Sequence, residues 1–310
     1  MVENHEKTRF SHCFSLATAL LLAMTGAQAY QFEVQGQAEY IDTTANDKDF
    51  IGGVQGTYYF KNVDSTKGPL AEAAFLNQAS NVAVAYNYGE VGSQGVDVIA
   101  HNFGAKAEAY VPTKVVPVYA SASYSHTILD SKNQASKILE DNGDRYALEV
   151  GALPTQNFLV AVGYTSVADQ AAVDAFNVMG NGVAKAAAEA TTIGQDQDAI
   201  TARAKYVGAI DDTNMAIGFE SGIIYGDDTA YQFKTDLFVT PKLSVGASYA
   251  ESSFAGTPDS AWGANVNYFI TPAVAVGASY VNANYEAAKA TETSFIGDTQ
   301  TVGVNAKFRF

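Results

Sequence analysis

One cysteine, Cys13, stands in all 310 residues, and it precedes a short apolar run. The chain after residue 29 therefore has no disulfide, thiol nucleophile or cysteine metal ligand. Cys13 is also not placed as a lipobox cysteine would be. Of four histidines, only His101 and His126 follow residue 29. Alternation puts both on the apolar side of their segments and Ser125 on the opposite side from His126, so no serine–histidine pairing is set up. No metal-ligand cluster and no phosphate-cradling glycine motif occurs. The expectation is a non-enzyme with no catalytic, cofactor or metal site. Cations are few, 18 Lys and Arg against 33 Asp and Glu, which argues against nucleic acid as a partner. After residue 29 no apolar run is long enough for a membrane helix. The uncharged stretch from Val150 to Ala168 is broken by Pro154, Thr155, Gln156 and Asn157 and reads as two strands around a turn. Proline is scarce at 7 residues, while Tyr at 18 and Phe at 17 are abundant, the composition of an all-β chain.

Near the start, Leu16 to Met24 is apolar but too short to span a bilayer as a helix. Ala27-Gln28-Ala29 follows as a small-x-small site. Residues 1–29 read as a secretory signal peptide, leaving 30–310 as a single domain. The region before the apolar run is unusual, with Glu3 and Glu6 beside Lys7 and Arg9.

The segment from Gln300 to Phe310 alternates strictly. Val302, Val304, Ala306, Phe308 and Phe310 fall on one face of a strand; Thr301, Gly303, Asn305, Lys307 and Arg309 fall on the other. Two cations facing an apolar core would be costly; they are inexpensive where one face meets lipid and the other water, as in an outer-membrane barrel. The same unit recurs about fourteen times, near 30–41, 50–60, 81–88, 99–111, 116–128, 144–153, 158–165, 199–207, 214–224, 231–239, 243–250, 261–269, 274–281 and the C-terminal segment, each near the nine to eleven residues a tilted strand needs. The fold expected is a transmembrane antiparallel up-and-down β-barrel. Its inward set contains Glu33, Glu39, Lys106, Glu108, Arg145, Glu149, Arg203, Lys205, Glu220, Lys234, Asp236, Lys307 and Arg309, the candidate pore-lining residues. Tyr30 is placed with Phe32 on the apolar face. Tyrosines at segment ends, Tyr110 and Tyr124 among them, are read as interfacial girdles.

The connections alternate in length. Tight ones hold Pro112-Thr113-Lys114, Pro154-Thr155-Gln156, Asp211-Asp212-Thr213, Thr240-Pro241-Lys242 and Thr271-Pro272-Ala273. Long acidic ones are read at 42–49, 89–97, 129–143, 166–198 and 282–299. Short periplasmic turns and long outer loops characterise this barrel class, and an even strand count leaves both termini periplasmic. Thr240 to Tyr249 and Thr271 to Tyr280 are near copies, a repeated hairpin. Two connections stand out. Lys61–Ser80 lies on the short-turn side yet is long. Its Gly68, Pro69, Leu70, Glu72 and Phe75 are the constriction candidates, in a short helix started by Pro69. It either folds across the mouth and narrows it or packs on the rim. The 166–198 connection carries a helix-prone run, Val183 to Ala190, which folds inward as a lid or lies on the outer rim.

The mixed charges inside read either as an ion-pair network that fills the lumen or as a hydrated path with a transverse field. Fourteen strands lie between filled eight-stranded barrels and open porins of sixteen or more. Acidic loops favour cations over anions at the entrance. Ala27 to Gln37, Gly56 to Asp64, Gly68 to Ala79, Ala161 to Gln170 and Asn305 to Phe310 together resemble the family of small Acinetobacter outer-membrane porins whose loss is associated with carbapenem resistance. That resemblance implies a narrow channel for water, small ions and small polar solutes, with carbapenem entry and host-surface contact as further roles. It also implies recognition of the terminal Phe310 by the barrel assembly machinery and residence among outer-membrane lipid and lipopolysaccharide. A surface adhesin or structural barrel with a blocked lumen is the alternative.

Overall fold

The computed structural model describes residues 29–43, 48–93, 96–133, 136–169, 174–178, 197–253, 258–284 and 298–310. Fourteen antiparallel strands close on themselves: β1 (Ala29–Thr43), β2 (Lys48–Asp64), β3 (Asn81–Ser93), β4 (Val96–Val111), β5 (Val118–Asn133), β6 (Ser136–Thr155), β7 (Phe158–Asp169), β8 (Gln197–Ala209), β9 (Ala216–Tyr225), β10 (Thr229–Thr240), β11 (Leu243–Ser252), β12 (Ser260–Thr271), β13 (Val274–Asn284) and β14 (Thr299–Arg309). Each strand pairs with its chain neighbours, and β1 meets β14 in an unbroken register from Glu33↔Arg309 to Thr43↔Thr299. Phe310 extends the seam: its N–H donates to the Phe32 carbonyl and its own carbonyl accepts from Gln31 N–H. Closure removes every sheet edge, so backbone polar groups pair without water.

Alternation then sorts side chains in the reverse of a soluble protein. Val34, Val84, Leu148, Val150, Val162, Val302 and Val304 are exposed on the outer face, whereas Glu33, Glu39, Arg145 and Arg309 are buried inside. An apolar exterior around a charged interior is stable only with lipid outside and water or counter-charges within. His101 sits opposite Ile128, and His126 opposite Phe103, on the outer face.

Several expectations need correction. A bulge between Tyr30 and Phe32 turns Tyr30 inward, where its ring packs edge-on against Tyr59 at 5.5 Å. Tyr110 also lies inside, 5.1 Å from the Tyr119 ring, and is no girdle residue. Most strands exceed the span that lipid requires, β6 reaching 20 residues. The connections read at 89–97 and 129–143 are mostly strand, because β3 and β4 stay paired to Ser93↔Val96 and β5 and β6 to Asn133↔Ser136. Polar, acidic composition suggests loops there; backbone pairing continues beyond the apolar layer regardless. The helix-prone run Val183 to Ala190 falls outside the described residues. The Thr240 and Thr271 repeats carry matching register shifts, Phe238/Thr240 and Phe269/Thr271, each leaving a phenylalanine buried inside.

The rim bearing both chain ends also bears the tight turns and the 65–80 connection. There Asp64 Oδ1 accepts from Thr66 N–H at 2.8 Å and from its hydroxyl at 2.7 Å, starting the turn. Gly68 has φ 143°, a region closed to most side chains, and a Cβ on it would stand 2.9 Å from Leu76. Pro69 precedes a 3-10 turn, Leu70–Glu72, and so stands one position before the helical residues rather than first among them. The helix α1 (Ala73–Leu76) follows directly, and Asn77 Nδ2 closes it by donating to the Asp64 and Ala73 carbonyls.

Candidate functional site: the barrel lumen

The 65–80 connection runs across the bore. On one side Leu70 N–H donates to the Pro241 carbonyl at 2.8 Å, its carbonyl accepts from Arg309 Nη1 at 2.9 Å, and its side chain packs on Phe269 and Ala275. Arg309 lies between the rings of Tyr30 and Phe269, 4.5 and 4.7 Å from their centroids, and its Nε donates to Glu33 at 2.7 Å. On the opposite wall Glu72 pairs with Lys205 at 2.8 Å. Phe75 packs among Tyr119, Leu153, Leu159, Val207 and Phe238, with Lys205 Nζ 5.0 Å from its ring. Leu70, Ala73 and Phe75 are all buried. The segment thus bridges the β12–β14 wall to the β5–β10 wall.

A second insert enters from the far rim. Helix α2 (Ala175–Val178), part of the connection between β7 and β8, lies inside the barrel. Asp174 pairs with Arg145 at 3.0 Å. Ala175 N–H donates to Ser125 Oγ at 3.1 Å, and its carbonyl accepts from Asn87 Nδ2 at 2.9 Å. Gly104 makes room for the helix, since a Cβ there would meet Ala175 at 2.6 Å and Phe176 at 2.9 Å.

All thirteen charged residues singled out by alternation lie on the lumen face, as the registers show. The structure brings most of them into pairs: Lys106–Glu108 at 3.0 Å, Arg203–Glu149 at 2.7 Å, Arg203–Glu220 at 3.6 Å, Lys234–Asp236 at 3.2 Å and Lys307–Glu33 at 3.1 Å. Arg203 grips Glu149 with two nitrogens, the planar fork that suits a carboxylate. Glu108 also accepts from Tyr119 OH at 2.7 Å and Asn81 at 3.1 Å. Glu39 accepts from Gln37 and has no cation partner among the described residues. Removing one member of such a buried pair leaves an uncompensated charge.

Apart from Lys307 and Arg309, the wall of β11–β14 is built differently. Gly246, Gly277 and Gly303 alternate there with Asn265, Asn267 and Asn305. A Cβ on Gly277 would collide with the amides of Asn267 and Asn305, so the glycines let asparagine side chains lie flat against the barrel. Alternation in the sequence identifies both walls as inward; it does not reveal that one is charged and one amide-lined until the strands are assembled. It also misses Tyr30, Tyr110, Asp174 and Phe176. Tyr30 depends on the bulge, and the inserted groups depend on the inward path of their connection.

Two cavities flank the terminal-side insert. The larger, 320 Å³, lies between Phe75 and Phe176 and is lined by Glu33, Lys106, Glu108, Arg203 and Lys205 among others. The smaller, 190 Å³, runs along the amide wall past Lys234, Asp236, Asn267, Asn305 and Lys307. Glu72, Ala71, Gln35 and Lys307 border both.

A charged, water-compatible bore inside an apolar shell has counterparts among known proteins. A family model described as general bacterial porin matches residues 12–308. The chain belongs to this porin family. Among solved structures, the Acinetobacter baumannii outer membrane protein Omp33 is 52% identical with a TM-score of 0.67, covering 92% of this chain and 100% of its own. Two monoaromatic hydrocarbon channels, a TodX deletion mutant and CymD, each reach a TM-score of 0.51 at 9% and 8% identity, covering 92% and 95% of this chain and 91% and 93% of their own. They share the fold alone. A search of curated proteins found no match. The chain is thus an outer-membrane channel-type barrel.

Proposed function

We propose that this porin is a narrow diffusion channel for water, small ions and small polar solutes, throttled from both mouths. The observation that carries this reading is the pair of opposed inserts, Phe75 from one rim and Phe176 from the other, with a 320 Å³ polar cavity between them. The thirteen lumen-facing charges, all but Glu39 held in ion pairs among the described residues, are then the path's lining, and their local fields act on a passing solute. Solutes of carbapenem size enter only if α2 leaves its seat. In this reading the rim with both chain ends and the tight turns is periplasmic. Phe310 is then where assembly machinery engages the finished barrel, and the far rim meets lipopolysaccharide and host surfaces.

Planar-bilayer recording with liposome swelling tests it. Small stable conductance, weak cation preference from the net charge of −15, and uptake falling steeply from small amino acids to disaccharides are expected. Clear anion preference, or free passage of disaccharides, overturns it. The second reading, a structural or adhesive barrel with a blocked bore, draws on the pinning of both inserts to the wall; complete absence of conductance and solute uptake would establish it instead.

A further inference from the structure

Three ion pairs border the 320 Å³ cavity: Lys106–Glu108, Lys205–Glu72 and Lys307–Glu33. Arg203, also in its lining, forks onto Glu149. Each of these cations thus has its carboxylate. A solute ion of either sign would bring a charge that the lining does not compensate; a solute bearing both charges would not. The pairs differ in how fully the carboxylate is engaged. Glu33 accepts from Arg309 as well as Lys307, and Glu108 from Tyr119 and Asn81 as well as Lys106. Glu72 meets Lys205 Nζ through Oε2 at 2.8 Å. This pair joins the crossing insert to β8. Phe75 stands 5.0 Å from the same ammonium and packs on Leu159, and both border the cavity. A pair of opposite charges and an apolar strip therefore share one wall of it.

In an α-amino acid the ammonium nitrogen and the carboxyl carbon stand about 2.5 Å apart, fixed by their bonds to Cα. The Lys205–Glu72 pair holds opposite charges at nearly the same separation, 2.8 Å. We propose that the cavity is a binding station for zwitterionic α-amino acids, which lie antiparallel on the Lys205–Glu72 pair. The solute carboxylate accepts from Lys205 Nζ, and the solute ammonium donates to the Glu72 carboxylate. An ammonium has three N–H donors and a carboxylate about four lone-pair positions, so both groups serve the solute while keeping their own contact. Both new hydrogen bonds join charged partners, the strong kind. The solute side chain then rests against Phe75 and Leu159. This favours small alkyl groups in a cavity at the lower end of the ligand-site range, about 300 to 1,000 Å³. An anion or a cation of the same size satisfies one end of the pair only. The station rests on the channel reading, whose solute class it names, but binding is measurable without conduction.

The test is a saturation-transfer NMR titration of the purified full-length barrel in detergent at neutral pH. L-alanine is compared with two analogues that keep one charge each, L-lactate and L-alaninamide. Alanine is expected to bind at least about tenfold more tightly than either. The double variant Glu72→Gln/Lys205→Gln removes both charges at once and leaves no uncompensated ion; it should bring alanine to the level of the analogues. Equal binding of the three solutes by the wild type, or an undiminished preference in the double variant, overturns the proposal. If the double variant does not fold, the wild-type series decides alone. Liposome swelling with the same solutes separates this site from the channel. Preferential alanine binding without uptake or conductance would uphold the station and reject the channel; uptake and conductance without the preference would do the reverse.

Discussion

The two inserts occupy the same bore but are held in different ways. The terminal-side segment is anchored at both ends of its crossing: Leu70 is fixed by a backbone hydrogen bond and by Arg309, and Phe75 is fixed in an apolar cluster drawn from β5 to β8 and β10. Among the described residues the far-side segment is held chiefly by polar contacts around Asp174 and Ala175, the Arg145 ion pair and hydrogen bonds with Ser125 and Asn87 among them. Burial of a phenylalanine and a leucine contributes about 2 kcal/mol each, whereas a hydrogen bond contributes about 1 kcal/mol net. On these contacts the first insert is expected to fold with the barrel, and the second to act as a latch that releases more easily.

Substitutions that separate the two can be ranked. Glu33→Gln removes the counter-charge from Arg309 and Lys307 together, with an expected loss of about 3 to 5 kcal/mol. Urea unfolding followed by the single tryptophan, Trp262 on the lipid face, should show an earlier midpoint at unchanged slope. An unchanged midpoint would mean that the Arg309 anchor is not needed. Phe75→Ala should cost about 2 to 3 kcal/mol of the segment's docking, less than a sealed-core phenylalanine because water reaches one side. Its signature is noisy, enlarged conductance in a barrel that still folds.

The latch is expected to be softer. Asp174→Asn should weaken it by about 1.4 kcal/mol and so lengthen open dwell times relative to closed ones roughly tenfold, with unfolding unaffected. If Asp174→Asn instead destabilises the barrel, the two inserts are alike and the contrast fails. Ser125→Ala removes one acceptor from Ala175 N–H and should shift the same ratio about threefold, near 0.6 kcal/mol.

Much of the barrel was legible because alternation is a two-state signal: Lys307 and Arg309 beside Val304 and Phe308 admit one arrangement in lipid. The inward set followed from parity alone. Tyr30 broke parity because the β1–β2 register shifts there, the step from Phe32 to Tyr30 being matched by the longer stretch from Tyr58 to Val63, and no sequence pattern marks that position. The strand extensions beyond lipid were illegible for another reason: residues such as Asp130 and Glu140 have low strand propensity, yet pairing with an already formed neighbour extends the hairpin. For the 65–80 connection, length, Pro69 and the apolar Leu70 and Phe75 showed that it could not hang in water. They did not show which wall would receive it. Arg309, Lys205 and Pro241 lie far away in sequence, and closure of the barrel brings them to it.

If the anchored insert, rather than the barrel wall, limits flow, removing it must open the path. Single-channel conductance of the chain with residues 66–76 replaced by a short glycine–serine linker tests this most directly. A several-fold rise over the wild type, with folding retained, is the expected result; a conductance equal to the wild type in a folded barrel would contradict it.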